Sequence, residues 1–251
     1  MTPFFALLAL QSADPPPSPL AQLQCAADPA VICQAEAGPN HAFLYAYPAE
    51  IRAITMLHAS FRRSQSLAWE RFQALIAEAR RNPQALYFRE EVYTIDADRP
   101  ELLALAVRQV QRAGGGETRW SVGSLIWDRR GGRLVTFEEL FEDGEAGQAL
   151  VNALFCPALR QARDAALGPG GHEDCPDDYF ARLIPGSDGR ISRLRLVFDA
   201  LDGPDDGRFD VEIPVTSRLI HSLERAVRPA YAASDGPATA CRRATAGDPC
   251  A

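Results

Sequence analysis

Residues 190–201 read RISRLRLVFDAL, with apolar and polar side chains in strong alternation. A period of two sends successive side chains to opposite faces of an extended strand, one face buried and one wet. That is the pattern of antiparallel sheet, because strands of an all-parallel sheet are covered on both faces and read as unbroken apolar runs. Other segments keep different periods, and their order sets the fold class. AFLYAYP (42–48) and YFREEVYTIDAD (87–98) read as strands. Between them Ile51, Ile54, Leu57, Phe61, Leu67, Phe72, Leu75 and Ile76 recur at helical spacing from Ala49 to Arg80, until Asn82 and Pro83 stop the helix. Residues 118–128 read as a strand, DRRGG as a tight turn whose glycines supply positive φ, and Leu134 and Val135 as a short strand. TFEELF reads as one helical turn, with Thr136 and Glu139 spaced as a capping box. A helix follows over 147–166, with Leu150, Leu154 and Leu159 near one face, and RFDVEIPVTSRLIHSLERAV passes from strand to helix through Pro214. Residues 101–112 have helix-forming composition, yet Leu103, Leu105, Val107 and Gln109 also alternate, so periodicity leaves them open. Strands and helices thus intersperse without regular βαβ order. The fold predicted is α+β, mostly antiparallel sheet with packed helices, as two sub-domains in one compact body.

The chain has 251 residues, 47% of them hydrophobic, enough to bury roughly 70–75% of its unfolded surface. Residues 1–13 hold an apolar run, Phe4 to Leu10, that reads as a shortened secretory signal. Residues 14–40 are a Pro-rich linker and N-terminal segment, 41–112 an N-terminal α+β sub-domain, 113–231 a C-terminal one, and 232–251 an Ala- and Gly-rich tail. No apolar run approaches the about 20 residues of a spanning helix, so no membrane span is expected. Net charge is −7 and the 26 basic residues, all Arg, are scattered. Without a basic stripe, nucleic acid is a poor electrostatic partner.

Six cysteines fall into neighbouring pairs, Cys25 with Cys33, Cys156 with Cys175, and Cys241 with Cys250. Pairing neighbours is the economical choice among 15 connectivities for six cysteines. Together with the N-terminal apolar run it points to an oxidising compartment, periplasmic or secreted. The segment HEDCPDD, 172–178, concentrates metal-binding side chains, with His172 and Cys175 the weak candidate ligands. It matches no closed zinc spacing, and a Cys175 bonded to Cys156 would have no thiolate to offer, so it is read as an acidic loop pinned to the preceding helix. Asp202, Gly203, Pro204, Asp205, Asp206 and Gly207 form a loop read as a turn rather than a calcium site, since EF-hand spacing and its terminal Glu are missing. His41, His58, His172 and His221 are the only histidines, and no Gly-x-Ser-x-Gly elbow accompanies them. The glycines of AGGGET lack the flanking Gly-Lys-Ser/Thr of a phosphate loop and read as a turn between strands. No catalytic residue, metal or cofactor is predicted.

Three stretches carry a resemblance: WDRRGGRLVTFEELFED, ALVNALFCPALRQAR and LRLVFDALDGPDDGRFDVEIPVTSRL. Together, over about residues 41 to 231, the chain resembles the extracytoplasmic domain of unknown function shared by RsiV-type anti-sigma factors and by the segment preceding the catalytic domain of PdaC-type peptidoglycan deacetylases. The chain departs from the family pattern at Gly114–Thr118, GGGET in place of Gly-Gly-Ala-His-Gly, and at Leu201 and Asp205, where the family carries tyrosines. The resemblance implies that residues 101–112 form a strand. It also implies a non-catalytic envelope protein that binds a cell-wall-associated, lysozyme-like protein or a peptidoglycan fragment, with the 202–207 loop as binding surface, since loops on a rigid sheet carry recognition. The alternative is a cell-wall hydrolase or deacetylase whose active site the sequence does not identify.

Overall fold

The computed structural model describes residues 29–116, 118–168, 175, 179–198 and 208–243. Its architecture is α+β. Six strands form the first sheet in sequence order: β1 (Val31–Ala37), β2 (His41–Pro48), β3 (Leu86–Asp98), β4 (Leu102–Gly114), β5 (Arg119–Asp128) and β6 (Arg133–Val135). All neighbours pair antiparallel except β2 and β3, which are parallel because a long helix, α1 (Thr55–Arg81), carries the chain between them. The second sheet runs β10-β9-β8-β7, antiparallel throughout, from β7 (Phe180–Pro185), β8 (Ile191–Phe198), β9 (Arg208–Pro214) and β10 (Thr239–Arg243). Two further helices are α2 (Gly144–Leu167) and the short α3 (Ser217–Ser222).

Helix α1 keeps part of the predicted apolar stripe: Ala49–Ala53, with Ile51, form a separate 3-10 turn ahead of it, Ile54 precedes it, and Leu67 is exposed. Leu57, Phe61, Phe72 and Ile76 are buried against Phe43, Tyr45 and Tyr47 of β2 and Leu103 and Leu105 of β4. Each such side chain contributes roughly 1.5–3 kcal/mol by leaving water. Asn40 fastens the far end of the helix: its side-chain amide donates to the carbonyls of Ala79 and Ala85, both at 3.0 Å, while its own carbonyl accepts from the Tyr87 amide at 2.9 Å. One residue thereby satisfies an orphan helix carbonyl and sets where β3 begins.

The opposite face of the first sheet builds the second core. Leu102, Ala104 and Ile126 meet Leu183, Leu194, Leu196, Phe209, Val211 and Ile213 of the second sheet and Val151, Phe155 and Leu159 of α2. β4 therefore supplies Leu103 and Leu105 to one core and Leu102 and Ala104 to the other. A strand covered on both faces reads as an unbroken apolar run, which is why residues 101–112 do not reveal their state by periodicity.

Three boundaries differ from the sequence reading. β4 and β5 are a hairpin within one sheet, so the change of sheet falls after Val135 and not between residues 112 and 113. The segment 14–40 contains β1, a half-buried strand whose ladder partner is β2, and the tail from residue 232 contains β10. Both are edge strands, and with one neighbour each among the described residues they have little apolar patterning of their own. β7, six residues between α2 and β8, also escaped the periodicity reading.

Candidate functional site

The site begins where the first sheet runs out of strands. β6 pairs with only Ile126, Trp127 and Asp128 of β5. Its shortness is local chemistry: the Thr136 amide donates to Glu139 Oε2 at 2.7 Å and the Glu139 amide donates to Thr136 Oγ1 at 3.4 Å, the predicted capping box, which turns the chain off the sheet. Arg133 on β6 donates to the same Glu139 carboxylate at 2.6 Å. The Thr136 amide and Arg133 hold the Glu139 carboxyl below the usual carboxylate range.

Beyond β6, residues 119–125 of β5 have a ladder partner only on the β4 side among the described residues. A cleft of about 410 Å³ opens there. Its floor is Ser124, Leu125 and Ile126, one wall is Leu134 to Glu139, and the other is Tyr179, Phe180 and Ala181 at the start of β7. Two of the four exposed large hydrophobic side chains among the described residues, Leu134 (39% exposed) and Phe180 (43%), line this one cleft. Tyr179 closes its inner end. The Tyr179 ring packs on Phe155 of α2 and its hydroxyl bonds with Gln148 and donates to Asn152 Oδ1 at 3.1 Å, while burial pushes the phenol above its ordinary value. Glu138, exposed on the rim, makes no ion pair among the described residues.

A second, smaller depression of about 290 Å³ lies at the other end of the β4–β5 hairpin, lined by Arg89, Gln111, Arg112, Gly116, Arg119 and apolar neighbours. The Arg89 guanidinium is already committed to Glu91 at 3.0 Å. The glycine turn thus borders a basic hollow.

The residues singled out in the sequence are distributed as follows. Cys156 and Cys175 are joined, with Cα atoms 5.5 Å apart, and the sulfur of Cys175 is therefore not a thiolate ligand. Cys33, on β1, is also disulfide-bonded. Cys25, Cys250, His172 and the whole loop Asp202, Gly203, Pro204, Asp205, Asp206 and Gly207 lie outside the described residues, and of Cys241 only its place on β10 is described. The loop's anchors are informative: Phe198 ends β8 opposite Phe209, and Val197 pairs with Phe180. The end of β8 and the start of β9 therefore lie at the same end of the second sheet as Phe180, which lines the cleft.

Among the described residues no group of three His, Cys, Asp or Glu side chains could hold a metal ion. His221 Nδ1 lies 2.6 Å from the Ser217 carbonyl one helical turn back, His58 packs on Tyr47, and His41 packs on Phe72 with Nε2 3.8 Å from Glu36. His221 thus bonds within its own helix, while His58 and His41 pack between α1 and β2. Leu134, Glu138 and Phe180 were not found by sequence reasoning. The capping box that shortens β6 was legible, but the free edge it leaves depends on strand order.

No family model matches the chain, and no curated protein matches it. Solved structures similar to it include a DUF3298 family protein of Pseudomonas aeruginosa PAO1, at 12% identity and a TM-score of 0.48, over 80% of this chain and 97% of that one. A DUF3298 family member of Bacteroides fragilis NCTC 9343 is similar at 12% identity and a TM-score of 0.47, over 78% and 93% of the two chains.

Proposed function

We propose that this protein is a non-catalytic, extracytoplasmic binding module of the cell envelope, of the kind found in RsiV-type anti-sigma factors and ahead of PdaC-type deacetylase domains, and that it engages a lysozyme-like protein or a peptidoglycan fragment. The observation that carries the reading is the open, apolar cleft beside β5, walled by Leu134 to Glu139 and by the start of β7. Recognition surfaces combine a preformed apolar seat with a few polar groups on a fixed scaffold. The Cys156–Cys175 bond, which ties the middle of α2 to a residue shortly before β7, suits an oxidising compartment.

Isothermal titration of the oxidised protein against lysozyme and, separately, against muropeptides tests the reading. Saturable heat with either ligand, lost in Leu134→Asp with the far-ultraviolet spectrum unchanged, is the expected result. Silence with both ligands overturns the choice of partner, and release of acetate or reducing ends from peptidoglycan overturns the non-catalytic assignment.

A further inference from the structure

We propose that the outer edge of β5 is a docking edge for an extended peptide, apolar along one face and basic at the end that enters the cleft, which joins the first sheet as a strand in line with β6. The inference rests on the binding-module reading and narrows its ligand to a polypeptide.

The backbone supplies the first argument. The Gly132 amide donates to the Asp128 carbonyl at 2.9 Å across the β5–β6 turn, and the Arg129 amide donates to Glu101 on the β4 side at 3.1 Å. Amide and carbonyl of one strand residue point the same way, and successive residues alternate. Even-numbered residues of β5 therefore face outward, and past the end of β6 these are Ser124, Val122 and Trp120. Their amides and carbonyls form a row at the two-residue repeat of a strand, which another strand matches and a sugar ring does not.

The second argument is composition. Exposed edges in proteins are normally blunted by charges, proline or bulges. Here the open stretch 119–125 carries one charge, Arg119 at its far end, while Trp120–Ser124 reads WSVGS with neither charge nor proline, and β5 pairs with β4 in unbroken register from Arg119 to Asp128. Such an edge invites a strand.

The cleft then selects among strands. Leu125, Leu134 and Phe180 offer an apolar seat at its end, and Glu138 is an ion-pair-free carboxylate on the rim among the described residues. A basic side chain complements it, and the chain's net charge of −7 favours a basic partner over a second copy of this chain.

The test uses the full oxidised protein and three probes: a short soluble peptide alternating Thr and Val with one terminal Arg, lysozyme, and a disaccharide muropeptide. Amide hydrogen exchange on the unsubstituted protein is read at Trp120, Val122 and Ser124. The expected result is slowed exchange at Val122 and Ser124 with the peptide. Val122→Pro removes an outward amide and no bond to β4, so it should weaken the peptide at least about tenfold with the near-ultraviolet spectrum intact. Glu138→Gln should weaken it a few-fold and flatten its salt dependence.

Unchanged exchange at both amides under saturating peptide, or no peptide binding at all, overturns the proposal without any variant having to fold. Concentration-dependent dimerisation that Val122→Pro abolishes also overturns it, in favour of a second copy. If lysozyme or muropeptide binds while both amides exchange freely, the binding-module reading stands and the strand edge falls. If the peptide protects the edge while the other two probes are silent, the edge stands and that reading's choice of partner falls.

Discussion

The six tyrosines share one electrostatic condition. Tyr45, Tyr47, Tyr87, Tyr93, Tyr179 and Tyr231 all have phenols raised above their ordinary value, chiefly because burial penalises the phenolate. Tyr93 has further causes: the neighbouring Tyr45 and the buried carboxylate of Glu91, to which it donates at 2.6 Å. A phenol that holds its proton more tightly when folded contributes stability that is complete below the unfolded pKa of about 10 and is lost as pH rises above it. Phenolate absorbance near 295 nm should therefore appear late and together with loss of the near-ultraviolet circular dichroism. Reversible ionisation of all six at about pH 10 in a folded chain would contradict this account. None of it is visible in the sequence, where a tyrosine in AFLYAYP is apolar patterning, and only the packing of β2 and β3 under α1 removes its hydroxyl from water.

At the scale of elements, α2 shows how local signals and tertiary approach divide the work. Its start is set locally, three residues before the periodicity begins: Asp143 accepts the Ala146 amide at 3.0 Å as an N-cap. Its seating is not, because it turns on Gly147. A Cβ at that position would lie 2.2 Å from Cγ of the buried Phe141 ring. Gly147→Ala should destabilise by about 1–3 kcal/mol through overpacking, although alanine is the better helix former, and the urea midpoint reports which effect wins. The capping box at Thr136 and Glu139, the α1 stripe and the β8 alternation were likewise written locally. β1, β7 and β10 were not, because short or edge strands take much of their definition from the neighbour they pair with.

The two sheets are joined across the molecule by an ion pair as well as by the shared core. Arg182 of β7 donates through Nε and Nη2 to Asp96 of β3 at 2.9 and 2.5 Å, and the Asp96 side chain is only 5% exposed. Asp96→Ala leaves a partly buried guanidinium without its counter-ion and should cost about 3 kcal/mol, lowering the urea midpoint without changing the slope. The Cys156–Cys175 bond spans a sequence separation of 19 residues. Replacing both cysteines by alanine should cost about 3 kcal/mol by restoring chain entropy to the unfolded state. The chain should still fold, because α2 is also held by Val151, Phe155 and Leu159; denaturant unfolding of the paired variant measures both points.

By itself the sequence determined the α+β class, the presence of α1 and α2 though not where they start, the turn that ends β6 and the pairing of Cys156 with Cys175. The helices and the turn depend on residues within one or two turns of one another and the two cysteines are only 19 residues apart, so period, capping and spacing suffice. Only the tertiary structure decided that β4 is a strand with two buried faces, that the change of sheet follows Val135, and that β5 has an edge unpaired among the described residues, with a cleft beside it. Those features come from which strands become neighbours, and Ser124, Leu134, Glu138 and Phe180 meet there although no local pattern links them.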